Sequence, residues 1–199
     1  MRRRVDAVRS EYYKTKIFLS QSWQLYAEAA IFGLEKLFTI SPCFRAEKSK
    51  TSRHLSEFWM AEVETAWQDL NGLAKSAEAC VAYIVRKVVE KNEHDLEILG
   101  QDIAKLKKIT APFPRLKYED VLKMLKETEG VDIPFGKDLR TIEEDLIMKH
   151  FDKPLIVTHY PKEIMAFYKP EDKDDPGRAL CMDMLAPEGY GEIIGGSQR

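Results

Sequence analysis

Charged and aromatic side chains on two neighbouring segments are the first candidates for a ligand-binding surface. Alternating apolar and polar residues predict strands over 37–47 and 57–67, joined across the polar segment 48–54 as a hairpin. Strand periodicity places Arg45 and Glu47 on one face of the first strand. One face of the second strand carries Phe58, Met60, Glu62 and Glu64. A cation, a carboxylate and an aromatic ring could therefore share one surface, either as a ligand site or as a cross-strand ion pair beside a core phenylalanine.

Two acidic residues near the end of the sequence are a second candidate site. Asp183 and Glu192 are nine residues apart, which allows carboxylates on neighbouring stretches to converge on one hard cation such as Mg²⁺. Two unrelated surface acids are the alternative. The glycines Gly189, Gly191 and Gly195 lack the spacing of a Rossmann phosphate loop. They are better explained as positions where a substrate approaches a strand closely.

Periodicity and end signals predict the elements that must position these residues. A strand over 16–19 precedes a helix over 24–34. The apolar residues of helical spacing in that helix are Leu25, Ala29 and Phe32. A longer helix begins after the capping residue Asp69. Its apolar stripe, which predicts packing against a core, consists of Leu73, Ala77, Val81, Ile84 and Val88.

Shorter helices and strands alternate in the second half of the sequence. A helix is predicted over 118–127, ending near Gly130. Thr141 and Glu144 have the spacing of a capping box for a third helix. Later strands are predicted over 155–159, 165–168, 180–185 and 192–194. Strands on both sides of a helical segment predict an α+β fold, with a largely antiparallel sheet flanked by helices.

The composition indicates a folded protein without a membrane span. A chain of 199 residues with 44% hydrophobic and 32% charged residues is typical of one globular domain. The net charge of −2 provides no general attraction to nucleic acid or to an anionic membrane. The longest uncharged stretch, 17–27, is shorter than the ~20 residues that cross a bilayer. Three widely spaced cysteines without a CxxC pair predict neither disulfides nor a zinc site, so a cytoplasmic location fits best.

Three blocks of sequence resemble class II aminoacyl-tRNA synthetases of the aspartyl and asparaginyl branch, in the order in which that family has them. Motif 2 of its asparaginyl members is similar to the segment 44–59, which reads FRAEKSKTSRHLSEFW. The amino-acid-binding segment is similar to 21–26, which reads QSWQLY. The strand that binds metal and recognises the amino-acid side chain is similar to 183–185 and 191–199, which read DML and GEIIGGSQR. The resemblance covers about 12–199 and implies a class II catalytic fold.

The resemblance implies that the motif 2-like segment binds ATP. Activation brings the carboxylate of an amino acid to the α-phosphate, so the site must hold two anions and stabilise charge on phosphate oxygens. Arg45 takes that role, for which a planar, permanently charged and bidentate guanidinium is suited. Glu47 would accept from the adenine amino group, and Phe58 would stack on the adenine ring. The loop residues implied for the γ-phosphate are Arg53, His54 and Leu55.

The resemblance also implies where Mg²⁺ and the amino acid bind. Asp183 and Glu192 take the positions of the family's metal ligands between the ATP phosphates, and Glu192 counts as an ATP-binding residue for that reason. Gln24 would hold the α-ammonium end of the amino acid. Gly195 would allow the amino acid to approach the strand.

Two departures from the aspartyl branch imply selectivity for asparagine. The aspartyl branch has a lysine directly after its Gln-Leu-Tyr triplet, where this sequence has Ala27 followed by Glu28. An amide can donate to Glu28 and accept from Arg199, whereas the carboxylate of aspartate would be repelled by Glu28. A third departure is Met165, which stands where the family usually has a lysine.

These similarities imply ATP-dependent and Mg²⁺-dependent activation of asparagine and its attachment to tRNA(Asn), in a family of homodimers. The anticodon-binding domain, motif 1 and motif 3 have no counterpart in the sequence, so residues 1–199 are expected to be part of a catalytic domain. One alternative is a stand-alone paralogue that makes asparagine from aspartate, against which Ala27 and Glu28 count. Another is a non-catalytic remnant that binds a nucleotide or a partner chain. We further expect strands within 37–67 and 180–194 to share one sheet, with an apolar face left uncovered.

Overall fold

The computed structural model describes residues 7–46 and 54–199 and divides the chain into two units, Met1–Gln68 and Asp69–Arg199. The first unit has two hairpins separated in sequence by a helix. Its elements are β1 Arg9–Tyr12, β2 Thr15–Phe18, α1 Gln24–Leu34, β3 Lys36–Phe44 and β4 Glu57–Thr65. The second unit has four helices and four strands among its main elements. They are α2 Leu70–Ile98, α3 Ile103–Lys107, β5 Arg115–Lys117, α4 Tyr118–Thr128, α5 Thr141–Met148, β6 Leu155–Thr158, β7 Cys181–Ala186 and β8 Gly191–Ser197.

The long hairpin of the first unit confirms the predicted alternation. Strands β3 and β4 pair antiparallel from Lys36 opposite Thr65 to Phe44 opposite Glu57. One face of β4 is half-buried and carries Phe58, Met60, Glu62 and Glu64. The large apolar residues of the opposite face remain exposed, Trp59 by 71%, and they are Phe38, Ile40, Trp59 and Val63. The uncovered apolar face was expected on a sheet shared with strands within 180–194, whereas this exposed face belongs to the two-stranded hairpin.

Helix α1 has the predicted bounds but not a buried apolar stripe. Leu25 and Phe32 are exposed, Phe32 by 91%. Ala27 is the buried residue of this helix. The small side chain at position 27 lets the helix backbone come close to its neighbours, which a leucine stripe would prevent. The helical spacing therefore identified the element correctly but did not identify its packed face.

The sheet of the second unit confirms the predicted fold class. Its strand order is β5-β6-β7-β8, with β5 parallel to β6 and the other pairs antiparallel. Residues of β6 and β7 alternate between two cores. Ile156, Met182 and Met184 pack with α2. The other core joins the sheet to α4 and α5, and its strand residues include Leu155, Val157, Cys181 and Leu185.

Two predictions about strands are wrong. The segment 165–168 is not a strand, because it follows a short 3₁₀ helix, Lys162–Ile164, and continues as a turn. The Lys162 ammonium group donates to backbone carbonyls of Ala166, Phe167 and Lys169, which a sheet ladder would otherwise occupy. The strands within 37–67 and 180–194 also do not share a sheet. In the described part of the chain, β3 and β4 pair as strands only with each other, and β7 and β8 belong to the four-stranded sheet.

The start of α5 uses different capping residues from those predicted. The helix begins at Thr141, but Arg140 precedes it as the cap. The Glu143 carboxylate accepts from the Arg140 backbone N–H at 2.9 Å and from the Arg140 side chain. These hydrogen bonds lower the pKa of Glu143 below its usual value. Because Glu143 already satisfies the cap, the predicted pair Thr141 and Glu144 does not form the capping box.

The packed face of α2 includes the first part of the predicted stripe, because Ala77 is buried and Leu73 and Val81 pack on the core, but it departs from the stripe at Ile84 and Val88. Asp69 caps the helix as predicted, accepting from the Gly72 backbone N–H at 2.7 Å. Ile84 and Val88 are exposed, whereas Val89 is buried and Val85 is packed on the core. Glu78 is also part of the packed face, since it is 7% exposed and accepts from the Phe113 N–H at 3.2 Å and from Arg115 Nη2 at 3.1 Å. The packed face therefore includes a carboxylate that the apolar stripe does not mark.

Replacing Glu78 by alanine is expected to destabilise the protein by about 2–4 kcal/mol. The change leaves the Phe113 N–H without its acceptor and leaves the partly exposed Arg115 without its counterion. The midpoint of urea unfolding measures the loss. Glu90→Ala on the exposed side of the same helix is the matched control and should leave the midpoint nearly unchanged. Equal midpoints for the two variants would contradict a stabilising role for the buried carboxylate.

Candidate functional site

Arg45 and Phe58 lie together on the half-buried face of the long hairpin. The Arg45 guanidinium carbon is 5.2 Å from the centre of the Phe58 ring, and its Nη2 is 3.6 Å from Met60 Sδ. The Arg45 backbone N–H donates to the Ser56 carbonyl at 2.9 Å, which holds the residue beside the start of β4. A cation next to an aromatic face offers one group to phosphate and one to a planar base. Strand periodicity had predicted this juxtaposition.

The remaining residues of the motif 2-like segment are only partly covered by the structure. Glu47 and Arg53 lie outside the described residues, so their proposed roles stay predictions. His54 and Leu55 precede β4 and are exposed. Because both side chains are exposed, both are accessible to a ligand.

A carboxylate that sequence reasoning did not assign fixes the start of α1. Glu62 accepts from Ser22 Oγ at 2.5 Å and from the Trp23 N–H at 2.9 Å. The Gln24 N–H in turn donates to Ser22 Oγ at 3.0 Å. Gln24 and Glu28 are one helical turn apart and half-buried, so the same clamp positions both. The available signal was the alternation that puts Glu62 on the face of β4 that carries the predicted site residues.

Asp183 and Glu192 bring their carboxylates together on neighbouring strands. Asp183 of β7 is opposite Gly195 of β8 in the strand register. A Cβ atom at Gly195 would lie 2.8 Å from Glu192 Oε1 and 3.4 Å from Asp183 Oδ1. The absence of a side chain at Gly195 therefore makes room for both carboxylates. The nine-residue separation of Asp183 and Glu192 had predicted that the two carboxylates converge. Metal binding by the pair remains a prediction.

The two carboxylates experience a strongly negative environment. Burial raises the pKa of Asp183 above its usual value, while the Lys169 ammonium and a hydrogen bond from Tyr160 act in the opposite direction. The negative charge of Asp183 raises the pKa of Glu192, and Glu144 adds to that effect. Because Glu192 is exposed to solvent, we assign its raised pKa to neighbouring charge rather than to burial. Like charges held this close favour the binding of a cation.

The donor set of this pair fits a hard divalent cation that keeps other ligands. Within residues 7–46 and 54–199, no group of three or more His, Cys, Asp or Glu side chains is arranged to hold a metal ion. Two carboxylates alone suit Mg²⁺, which usually binds one or two protein carboxylates together with waters and substrate phosphates. A metal at Asp183 and Glu192 would therefore depend on a phosphate ligand for its remaining coordination.

Arg199 and its surroundings form a third group of predicted residues. The Arg199 guanidinium carbon is 4.7 Å from the centre of the Tyr168 ring, and Phe167 packs edge-on against the same ring at 5.4 Å. Met165 is buried, and Lys169 Nζ lies 3.4 Å from its sulfur. The lysine that the family usually has at position 165 is thus absent, and Lys169 brings an ammonium group to this sulfur. No regular pattern in the sequence marks Lys169.

Replacing Gly195 by alanine is expected to weaken cation binding at the carboxylate pair about 10-fold while preserving the fold. The new Cβ would displace the flexible Glu192 carboxylate, not the backbone. Titration with Mn²⁺ measures the affinity, and thermal unfolding measures the stability.

Gly196→Ala is the matched control for Gly195→Ala. A Cβ at position 196 would meet Leu73 Cδ2 at 3.0 Å, and its three nearest atoms all belong to Leu73 and not to a carboxylate. This control should cost about 1–3 kcal/mol of stability and leave cation affinity unchanged. If both variants lost affinity equally, Gly195 would have no specific part in the pair.

Comparisons with known proteins agree with the sequence blocks. The family model for class II tRNA synthetases (D, K and N) matches residues 4–199. The asparagine–tRNA ligase of Pyrococcus furiosus is 49% identical over 189 residues, covering 95% of this chain and 43% of that protein. The crystal structure of asparaginyl-tRNA synthetase from Pyrococcus horikoshii complexed with asparaginyl-adenylate has a TM-score of 0.93 at 48% identity, covering 97% of this chain and 44% of that one. The asparaginyl-tRNA synthetase of Entamoeba histolytica, also solved with asparaginyl-adenylate, has a TM-score of 0.87 at 29% identity over 96% of this chain.

These matches cover nearly all of this chain but only part of each relative. The chain spans less than half the length of the relatives it matches. No helix in the described part of the chain is both long and apolar enough to cross a membrane. Because the family model spans nearly every residue and the structural likeness extends over nearly the whole chain, the chain belongs to the class II tRNA synthetases of the D, K and N group.

Proposed function

We propose that this chain belongs to an asparagine–tRNA ligase, which activates asparagine with ATP and transfers it to tRNA(Asn). The observation that carries the proposal is the likeness over nearly the whole chain to a protein solved with asparaginyl-adenylate. Asparaginyl-adenylate is the product of the activation step, so a protein that binds it has both an ATP site and an asparagine site. Because the chain spans less than half of that relative, the activity is assigned to the complete protein.

Arg45 and Phe58 would act on ATP in the activation step. An oxygen of the asparagine carboxylate forms a bond to the α-phosphorus, and the bond from that phosphorus to the bridging oxygen breaks, so that pyrophosphate leaves. Negative charge grows on the non-bridging α-phosphate oxygens as the two anions meet. The Arg45 guanidinium would stabilise that charge bidentately, and the Phe58 ring would stack on adenine. Four further residues are proposed to bind ATP: Glu47 at the adenine amino group, Arg53 and His54 at the γ-phosphate, and Leu55 through its backbone.

Asp183 and Glu192 would hold Mg²⁺ when ATP is bound. The bound cation would neutralise phosphate charge and orient the leaving pyrophosphate. The convergence of both carboxylates at Gly195 supports this role, as does the charge of Asp183, which raises the pKa of Glu192. Phosphate oxygens and water would complete the coordination, as the two-carboxylate donor set requires.

Gln24, Glu28 and Arg199 would select asparagine. Gln24 would bind the α-ammonium group, Glu28 would accept from the side-chain amide, and Arg199 would donate to the amide oxygen. Ala27 is fully buried, so this position carries no cation that could pair with an aspartate side chain. Gly195, beside the carboxylate pair, would leave room for the bound amino acid. The proposed localisation is cytoplasmic and the proposed assembly is the homodimer of the family.

Direct detection of the adenylate tests this function. The chain, extended by the remaining segments of the Pyrococcus horikoshii relative, is incubated with asparagine, ATP and Mg²⁺, and asparaginyl-adenylate is measured by mass spectrometry. Adenylate should form, vanish when EDTA removes the metal, and pass asparagine to tRNA(Asn). Conversion of free aspartate to asparagine would support the stand-alone paralogue. Nucleotide binding without any adenylate would support a non-catalytic protein.

A further inference from the structure

An aromatic ring lies against the arginine that is proposed to contact the asparagine side chain. The Arg199 guanidinium carbon is over the Tyr168 ring, 4.7 Å from its centre. Tyr168 is half-buried, and the Phe167 ring packs edge-on against it with the two planes at 79°. The guanidinium group of Arg199 therefore rests on a ring that has packing of its own.

One ammonium group fixes the turn that carries Tyr168. Lys162 Nζ donates to the carbonyl oxygens of Ala166 at 3.4 Å, of Phe167 at 3.5 Å and of Lys169. The Lys169 backbone N–H donates to the Ala166 carbonyl at 3.2 Å and closes the turn. Because these hydrogen bonds bracket Tyr168 in the chain, they restrict its backbone and hold its ring in place.

The segments that carry the ring and the arginine are anchored to the same residue. The Leu180 N–H donates to the Pro170 carbonyl at 2.9 Å, and the Leu180 carbonyl accepts from the Gln198 N–H at 3.0 Å. Pro170 is two residues after Tyr168, and Gln198 directly precedes Arg199. These two backbone hydrogen bonds therefore fix the position of the ring relative to the point where the arginine side chain begins.

Stacking orients an arginine without using its hydrogen-bond donors. Arg199 is exposed, and a long exposed side chain without such a contact would sample many rotamers. A cation–π contact uses the flat face of the guanidinium group, whereas the N–H groups lie in its plane. The Tyr168 ring thus restricts the orientation of the plane in which Arg199 donates. Those in-plane donors are the groups that the proposed function directs to the amide oxygen of asparagine.

We propose that Tyr168 is a positioning residue whose ring holds the Arg199 guanidinium in the orientation that contacts the side-chain amide oxygen of asparagine. The inference rests on the proposed function of Arg199. Loss of a cation–π contact corresponds to a change of about 3-fold to 30-fold in an equilibrium constant. We therefore expect loss of the ring to raise the KM for asparagine by a factor in that range. The KM for ATP should stay within about 2-fold, because Tyr168 acts through Arg199.

The test compares three variants of the extended protein by ATP–pyrophosphate exchange. Tyr168→Leu removes the ring, whereas Tyr168→Phe keeps the ring and removes only the hydroxyl group. Tyr83→Leu is the matched control, because Tyr83 makes the same kind of contact with Arg86 of α2, at 5.4 Å. The KM values for asparagine and for ATP are measured separately, and thermal unfolding reports whether each variant is folded.

Tyr168→Leu should raise the KM for asparagine about 3-fold to 30-fold, while Tyr168→Phe and Tyr83→Leu should match the original protein. Three results would each overturn the positioning role and leave the proposed function in place: an unchanged asparagine KM in Tyr168→Leu, an equal rise in Tyr168→Phe or Tyr83→Leu, or a parallel rise in the KM for ATP. The absence of asparagine-dependent exchange in the original extended protein would overturn the proposed function itself, and with it this inference.

Discussion

Arg45→Ala is expected to lower kcat and kcat/KM for asparagine activation together, by about 100-fold or more. The reason is that the proposed contact strengthens as charge develops on the α-phosphate, so its loss affects the transition state more than bound ATP. The structure places the guanidinium beside the Phe58 ring and the Met60 sulfur.

Pyrophosphate exchange in the extended protein measures this effect, with two variants for comparison. Arg45→Lys keeps the charge but loses the bidentate geometry, so its rate should fall between those of the original protein and Arg45→Ala. Phe58→Ala removes stacking that ATP has before and during the reaction, so its cost should be mainly in the KM for ATP. An unchanged kcat in Arg45→Ala would show that the α-phosphate binds elsewhere.

The parts of the fold that were predictable have long local patterns. Strands β3 and β4 have nine residues each, enough for alternation to identify both the hairpin and the face of Arg45 and Phe58. Strands β1 and β5 have four and three residues, and sequence reasoning missed both. A strand this short has too few residues for a period of two to stand out, and β5 is recognisable only by its pairing with β6.

The burial of Glu78 shows why the packed face of a helix is harder to predict than the helix itself. An acidic residue in an amphipathic pattern is normally assigned to solvent. Glu78 is buried because Phe113 and Arg115, which are more than thirty residues later, supply its donors. That pairing depends on tertiary structure, so periodicity alone gave the wrong face for Ile84 and Val88.

The same distinction applies to the candidate site. Alternation pairs Arg45 with Phe58, and a separation of nine residues pairs Asp183 with Glu192. The resemblance to class II synthetases then favoured ligand binding over the structural alternatives for both pairs. Tyr160 and Lys169, which both lower the pKa of Asp183, lie in the irregular segment after β6, where the chain is shaped by hydrogen bonds from the Lys162 side chain to backbone carbonyls. No periodic signal marks such a segment. The groups that support the site could therefore be found only in the structure.

The largest expected effect is the preference for asparagine over aspartate, about 10⁴-fold in kcat/KM. Asparagine would donate from its amide to Glu28, while an aspartate carboxylate would face Glu28 without a compensating cation. The fully buried Ala27 carries no charge at the position where the aspartyl branch has a lysine. The clamp from Glu62 to Ser22 and Trp23 holds the start of the helix that carries both residues, which keeps Glu28 in place.

Glu28→Gln serves as the control for this preference. A neutral amide at position 28 can accept from asparagine and can donate to a carboxylate, so the penalty on aspartate should shrink. We expect the asparagine-to-aspartate ratio to fall in this variant, mainly because aspartate is activated faster. A ratio unchanged by Glu28→Gln would assign the selectivity to other residues.

ATP–pyrophosphate exchange with asparagine and with aspartate, measured side by side in the extended protein, tests the central claim most directly. The proposed function predicts exchange that depends on asparagine and Mg²⁺ and is about 10⁴-fold less efficient with aspartate. Equal exchange with the two amino acids, or exchange with aspartate alone, would contradict it.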